Sequence, residues 1–296
     1  MNKLGWIGVG KMGQRMSRHL LCDENKLYVF DTFQANADVL VKEGAEAAAS
    51  PAELATKADI MFSMIPNGKI LLDIIAGENG LLKTIQPGQV LVDMSTVDPK
   101  SSAEAAKLLE EKGAIMMRAP VSGSTMFAES GTLKIMVSGD KATFDRVRPF
   151  LAKIGDRQTY LGDGEQARYI KLAINMMIGN MSQMVAESLV FCQAGGLDWE
   201  TAIDLIADSA AASPMVKAKA DALKRRDFSP TSTNRFMEKD MHMVVDIAHE
   251  KGLALPCTSL CDQMYNGMIG GGRGELDYYS LLLINEEMNG IHHKDA

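Results

Sequence analysis

The fold class predicted by this sequence is a doubly wound α/β domain followed by an all-helical domain. Three observations predict it. Short, nearly continuous apolar runs recur through the first half with helical patterns between them, as parallel strands covered on both faces require. A G-x-G-x-x-G run, Gly8-Val9-Gly10-Lys11-Met12-Gly13, closes the first of those strands and opens a helix. Beyond about residue 160 the strand signals stop and long helical patterns take over.

The strand patterns lie at residues 4–9, 27–30, 59–65, 90–94, 115–119 and 134–138. Helical stretches separate them; over 12–21, for example, Met12, Met16 and Leu20 recur every fourth residue. Strands alternating with helices imply right-handed βαβ units and a parallel sheet. In the second half Ile170, Ile174, Met177, Ile178, Met181, Met184, Val185, Leu189 and Cys192 keep helical spacing. A helix of some 30 residues is a rod about 45 Å long. Gly195-Gly196 ends it, as glycine commonly does at a helix C-terminus. Further helices are expected over 199–209, 214–225, 235–251 and 257–268. The expected division is therefore 1–162 for the α/β domain and 163–296 for a helical substrate and oligomerisation domain.

Composition bounds the function. With 296 residues, 46% hydrophobic and 23% charged, the chain is an ordinary globular one rather than a disordered or collagen-like one. A formal net charge of -7 argues against nucleic-acid binding and against a polybasic membrane anchor. No apolar run approaches the roughly 18 residues that span a bilayer. Residues 1–13 lack the charged, apolar and small-residue regions of a signal peptide. Cys22, Cys192, Cys257 and Cys261 are too few and too scattered for a disulfide framework, which leads us to expect reduced thiols in a cytoplasmic protein. The 21 Met residues read as adaptable core packing.

The glycine run gains meaning from its context, a strand before it and a helix after it. Gly8 allows the tight turn, Gly10 allows a phosphate to approach the backbone, and Gly13 allows the helix to pack close on the sheet. Amides at the helix start, including those around Lys11 and Met12, would receive a pyrophosphate. The second strand is followed by Asp31, whose carboxylate would accept hydrogen bonds from the adenine ribose hydroxyls. The plainer alternative makes Asp31 a cap for the next helix. Its charge would repel a 2′-phosphate, and Thr32 and Phe33 supply no cation, so the expected cofactor of this Rossmann-type domain is NAD rather than NADP.

Four separated motifs carry a family resemblance across the whole chain. They are GVGKMGQRM at 8–16; Asp93-Met94-Ser95-Thr96-Val97-Asp98-Pro99 with Ala119-Pro120-Val121-Ser122-Gly123; GDGEQARYIKLAIN at 162–175; and FMEKD at 236–240. In this order they resemble the β-hydroxyacid dehydrogenase family, which includes 3-hydroxyisobutyrate dehydrogenase and tartronate semialdehyde reductase. The resemblance implies that Ser122 and Gly123 bind a substrate carboxylate, and we expect the adjoining Ser124 to line the same substrate site. It also implies that Lys171 is the catalytic lysine and Asn175 its substrate-orienting partner. Four residues apart on one helix, those two project from the same face, expected to look into the crevice between domains. Thr96, Ile65, Pro66 and Lys239 resemble the family's cofactor contacts, with Asp240 a structural neighbour of Lys239. Two positions depart from the pattern: Arg118 stands where the family usually has Asp, and Ser124 where it usually has a second Gly. Those departures leave the identity of the acid open.

No metal site is expected. His242 and His249 lie seven apart with Asp246 between them, Cys257 and Cys261 lack a second ligand pair, and His292 and His293 sit near the end of the chain. The resulting expectation is an NAD-dependent dehydrogenase of a small 3-hydroxy acid, or a reductase of its semialdehyde, without decarboxylation. Ile174 occupies the position where related decarboxylating enzymes carry a histidine. The alternatives are an NAD(P)H-dependent reductase of tartronate- or glyoxylate-type carbonyl acids, and a non-catalytic cofactor-binding module. Expected partners are the small-molecule acid or semialdehyde and further copies of the chain, as a homodimer or homotetramer.

Overall fold

The computed structural model describes residues 1–291; the expectation for His292 and His293 lies outside the described residues. Two compact units divide the chain, Met1–Lys171 and Leu172 onward.

The first unit runs β1 (Asn2–Ile7), α1 (Lys11–Arg18), β2 (Asn25–Phe30), α2 (Gln34–Lys42), β3 (Glu46–Ala47), α3 (Pro51–Lys57), β4 (Ile60–Ser63), α4 (Gly68–Ala76), β5 (Val90–Asp93), α5 (Pro99–Glu110) and β6 (Ile115–Arg118). These six strands form one sheet in the order β3-β2-β1-β4-β5-β6, all parallel. The strand order reverses beside β1, which is the topological switch point where open α/β sheets bind ligands.

Side-chain alternation explains the double winding. Leu4, Trp6, Val29, Phe62 and Val92 fill one core, and Ile7, Tyr28, Met61 and Leu91 fill another. Because successive side chains of a strand point to opposite faces, both faces of the sheet are covered. Trp6 and Phe62 stack with ring centroids 5.5 Å apart on neighbouring strands.

The chain then leaves this sheet. After β6 come β7 (Val121–Ser122), α6 (Thr125–Glu129), β8 (Lys134–Val137), α7 (Lys141–Ile154) and β9 (Arg157–Tyr160), with β7, β8 and β9 forming a separate three-stranded sheet. The 134–138 run is thus a strand, as its pattern predicts, but it is not a member of the parallel sheet. Its β8 pairs antiparallel to β7 and parallel to β9. The reason is local: Pro120 has no N–H to continue a ladder, and the short α6 connection returns the chain in the opposite direction instead of crossing over. The sequence reading also missed β3, β7 and β9. Two of these are two-residue strands, and β9 alternates exposed and half-buried residues, so neither the length nor the continuous apolar signal was present.

Helix α8 (Gln166–Ala194) starts in the first unit and continues into the second. There α9 (Trp199–Asp208), α10 (Pro214–Lys224), α11 (Asn234–Lys251), α12 (Pro256–Gly270) and α13 (Leu281–Met288) complete a helical bundle. Its core gathers Leu189, Ile203, Leu223, Met241, Tyr265, Met268 and Leu282. A buried ion pair, Lys219–Asp277 at 2.6 Å, and a half-buried one, Arg226–Glu286 at 2.6 Å, tie α10 and the segments after it together.

Candidate active site

Gly8, Asp31, Ile65 and Thr96 each follow the C-terminal end of a strand of the parallel sheet, so β1, β2, β4 and β5 deliver them to one edge. Gly8 adopts φ +86°, and a Cβ there would stand 2.4 Å from the Met64 carbonyl oxygen. A side chain at Gly13 would meet the Gly8 carbonyl oxygen at 1.9 Å, so α1 packs against the turn only without one. Gly10 is the N-cap of α1, has no side chain to satisfy the helix amides, and opens onto space free of other atoms within 4 Å of a Cβ. Exposed amides at a helix N-terminus, with its positive dipole end, form a ready anion site. Lys11 is exposed and Met12 half-buried at the start of the same helix.

Asp31 is bound into this turn. One carboxylate oxygen accepts from Val9 N at 2.8 Å; the other accepts from Phe33 N at 2.8 Å and from Asn36 Nδ2 at 3.2 Å. The N-cap of α2 is Phe33, so Asp31 is not that helix's cap. Ile65 packs beneath the same turn and donates its N–H to Ser95 Oγ at 2.8 Å. Pro66 is exposed and Thr96 buried.

Ser122 ends β7 half-buried; Gly123 and Ser124 are exposed, with Ser124 as the N-cap of α6. No side-chain hydrogen bond from Ser124 caps that helix. Lys171, half-buried, is the last residue of the first unit. Asn175 lies one turn further along α8, in the second unit, and its Nδ2 donates to Asp240 Oδ2 at 2.5 Å. Asp240 is buried and also ion-paired to Lys239, 3.1 Å away, whose ammonium stands 4.5 Å from the Phe236 ring centroid. Asp240 therefore fixes the amide orientation of Asn175, a role the sequence reading had not given it. The adjacent Lys-Asp pair was the available signal.

Arg118 does not present a free cation. It is buried, ion-paired with Glu165, and its Nη1 donates to the Met116 carbonyl at 3.3 Å. The departure from the family pattern at this position is matched inside the fold by Glu165 of the 162–175 motif.

A fully buried ion pair lies at the sheet edge. Arg168 donates from Nη2 to Asp93 Oδ2 at 2.5 Å, from Nη1 to the Ser95 carbonyl at 2.7 Å, and from Nε to Ser102 Oγ at 3.2 Å. The first turn of α8, three residues before Lys171, is thereby anchored to the C-terminal end of β5.

Elsewhere, α11 and α12 bring Glu238, His242 and Asp262 together, one ligand-type atom of each lying within 4.8 Å of the others. His242 stands 3.6 Å from Asp262 and 3.7 Å from Asp246, and burial pushes the Glu238 carboxyl above the usual range. Sequence spacing compared His242 with His249; the fold pairs it with acids instead. All four cysteines are free, and burial pushes the Cys261 thiol up to about 12. Among the described residues no helix is long and apolar enough to cross a membrane.

The chain is similar to known proteins along most of its length. Residues 3–162 match the NAD binding domain of 6-phosphogluconate dehydrogenase, and residues 165–284 the NAD-binding domain of NADP-dependent 3-hydroxyisobutyrate dehydrogenase. The chain is 33% identical to 2-(hydroxymethyl)glutarate dehydrogenase of Eubacterium barkeri, over 98% of this chain and 96% of that protein. It is 31% identical to 2-hydroxy-3-oxopropionate reductase of Escherichia coli (strain K12), over 99% and 100% respectively. Its fold is like that of Mycobacterium tuberculosis 3-hydroxyisobutyrate dehydrogenase solved with L-serine: the TM-score is 0.87 at 24% identity, covering 96% of this chain and 99% of that one.

Proposed function

This chain belongs to the β-hydroxyacid dehydrogenase family of 3-hydroxyisobutyrate dehydrogenase-like enzymes, and from that premise we propose which reaction it runs and which residues carry it. It is an NAD(P)-dependent hydroxyacid dehydrogenase, an oxidoreductase with a Rossmann-type cofactor domain. Its proposed reaction is hydride transfer between NAD and a small 3-hydroxy acid, or the reverse reduction of the semialdehyde, with the carboxylate left in place. The names of the two relatives above give the substrate types to try first: a hydroxymethyl diacid and a 2-hydroxy-3-oxo acid.

The residues at the sheet edge fit a dinucleotide. The uncapped amides of α1 and the open face of Gly10 suit a pyrophosphate, and Asp31 beside them suits a ribose diol. In this reading Gly8, Gly10, Lys11, Met12, Gly13, Asp31, Ile65, Pro66, Thr96 and Lys239 hold the cofactor. Bound NAD supplies the hydride acceptor in oxidation and, reduced, the donor in the reverse reaction. Ser122, Gly123 and Ser124 hold the substrate carboxylate through hydroxyls and backbone N–H groups. Asn175, oriented by Asp240, holds the substrate hydroxyl, and Lys171 Nζ takes its proton as hydride leaves the carbinol carbon. In reverse, Lys171 returns the proton to the forming alkoxide.

The observation that supports this reading is the anchoring of the helical turn before Lys171 to the end of β5, a strand of the same parallel sheet whose β1 and β2 present the glycine turn and Asp31. We divide the work as 1–162 for cofactor binding and 163–296 for substrate binding and self-association, supported by the two family matches meeting between residues 162 and 165. The free cysteines support a cytoplasmic setting, and the exposed apolar face of α8 supports a homodimer or homotetramer.

The test is turnover with a panel of 3-hydroxy acids and NAD or NADP, with product mass measured. Loss of two hydrogens only is expected; stoichiometric carbon dioxide would reject the non-decarboxylating reading. Lys171→Ala should lower kcat by about 10²–10⁴-fold while NAD binding is retained, and near-normal turnover would remove Lys171 from its role.

A further inference from the structure

Arg168 carries a full charge with a side chain 0% exposed, and its partner Asp93 is equally buried. A buried charge is tolerated only when paired and hydrogen-bonded, and this pair is. The Asp93 carboxylate also accepts from Ser63 Oγ at 2.6 Å and from Ser95 Oγ at 2.7 Å, while Ser95 Oγ accepts from Ile65 N at 2.8 Å. One carboxylate thus joins the end of β4, the end of β5, the loops that carry Ile65 and Thr96, and the first turn of α8. Ser102 extends the network into α5 through Arg168 Nε, at 3.2 Å.

The guanidinium ties the helix to the end of β5 and to α5, beside a bond from Ala167 N to Ser138 Oγ at 3.3 Å and the Arg118–Glu165 pair just before the helix. Its planar fork reaches three acceptors, Asp93 Oδ2, the Ser95 carbonyl and Ser102 Oγ, in fixed directions. A lysine would keep the charge but supply one flexible ammonium. The Ser63–Asp93–Ser95–Ile65 links do not involve Arg168, so the two loops stay joined without it. The fork adds the link from these loops to α5 and to the first turn of α8. Lys171 stands three residues on, about 4.5 Å along the helix axis, so a tilt or rotation at Arg168 displaces its ammonium directly.

We propose that Arg168 is the positioning residue for Lys171: clamped on Asp93, Ser95 and Ser102, it sets where the proton acceptor stands relative to the loops after β4 and β5. The inference rests on the reading of Lys171 as the proton-transferring group. A misplacement near 1 Å at a reacting group costs on the order of 100-fold in rate, so a residue that never touches substrate can govern kcat.

The experiment uses the full-length enzyme with NAD and its best hydroxy acid, comparing Arg168→Lys, Ser102→Ala and Lys171→Ala with wild type. Thermal unfolding, NAD affinity by fluorescence titration, kcat and the pH dependence of kcat are measured for each. Arg168→Lys should fold and bind NAD within about 3-fold of wild type, with kcat down by about 10- to 100-fold. Its kcat–pH profile should shift, because a displaced Lys171 sits in a changed environment. Ser102→Ala should show the same split, smaller in size. Folded Arg168→Lys with wild-type kcat and pH profile overturns the proposal, as does a loss of kcat that merely tracks lost NAD affinity. Should Arg168→Lys not fold, Ser102→Ala decides, and wild-type kcat and pH profile there overturn it. Lys171→Ala separates the two levels. If it retains turnover, the proton-transfer reading falls and the positioning role with it; if it is inactive while Arg168→Lys is normal, only the positioning role falls.

Discussion

Asp31 shows how a single carboxylate holds a turn and selects a ligand at once. It accepts from Val9 N and Phe33 N while standing at the end of β2, so its negative charge is fixed beside the glycine turn. A 2′-phosphate brought there meets that charge with Thr32 and Phe33 alongside and no cation from either. Catalytic efficiency should therefore favour NAD over NADP, and Asp31→Ala should weaken NAD more than NADP, read from kcat/KM with each cofactor. A wild-type preference for NADP would reject the role. At Gly13 the constraint is steric. With a Cβ 1.9 Å from the Gly8 carbonyl oxygen and 3.0 Å from the Trp6 indole nitrogen, Gly13→Ala must move α1 off the turn. Overpacking of this kind costs about 1–3 kcal/mol or more, so the melting temperature and NAD affinity should fall together. An unchanged melting temperature would mean that α1 has room to shift.

Between elements, α11 and α12 meet at a group of charges whose energetics depend on pH. Desolvation is the main reason the Glu238 carboxyl is raised, with Asp262 adding to it and His242 opposing it. The sign follows from linkage. A carboxyl raised on folding binds more protons in the folded state, so its contribution to stability falls as pH rises from the unfolded to the folded value. Above both values the ionised Glu238 is a net cost. Glu238→Gln should therefore melt higher than wild type at pH 7, with the difference shrinking as pH falls through the raised carboxyl value toward the ordinary carboxylate range. A variant that melts lower at pH 7 would show that the attraction of His242 and Arg235 outweighs desolvation.

For the molecule as a whole, α8 leaves an apolar face open in the helical unit. Met177, Met184 and Phe191, spaced by seven, are 62%, 66% and 82% exposed. Seven-residue spacing keeps them along one side of the helix, and contiguous exposed apolar surface marks an interaction site. A second copy of this chain is the proposed partner. Sedimentation should give a multiple of 32.1 kDa at micromolar concentration, and Met184→Glu with Phe191→Glu should shift it toward the monomer. An active wild-type monomer would refute self-association.

The sequence alone determined the doubly wound class, the glycine turn with Asp31 after the second strand, and the long helix carrying Lys171 and Asn175. Each of these is written in neighbouring residues: strand and helix periodicities, the spacing of glycines around one turn, two polar residues one helical turn apart. The three-stranded sheet was not legible in the same way, because the β7 and β9 patterns are short or half-exposed and Pro120 turned the chain out of the main ladder. Nor were the partners of the polar residues. Arg168 finds Asp93 from 75 positions away, Asn175 finds Asp240 from 65, and Arg118 finds Glu165 from 47. Arg168 lies within the 162–175 motif, yet nothing in that segment names its partner. Only the tertiary structure decided these pairs, for a physical reason. A buried charge must be matched by whatever group the topology brings within hydrogen-bond reach, and periodicity within one segment carries no record of which segment that is.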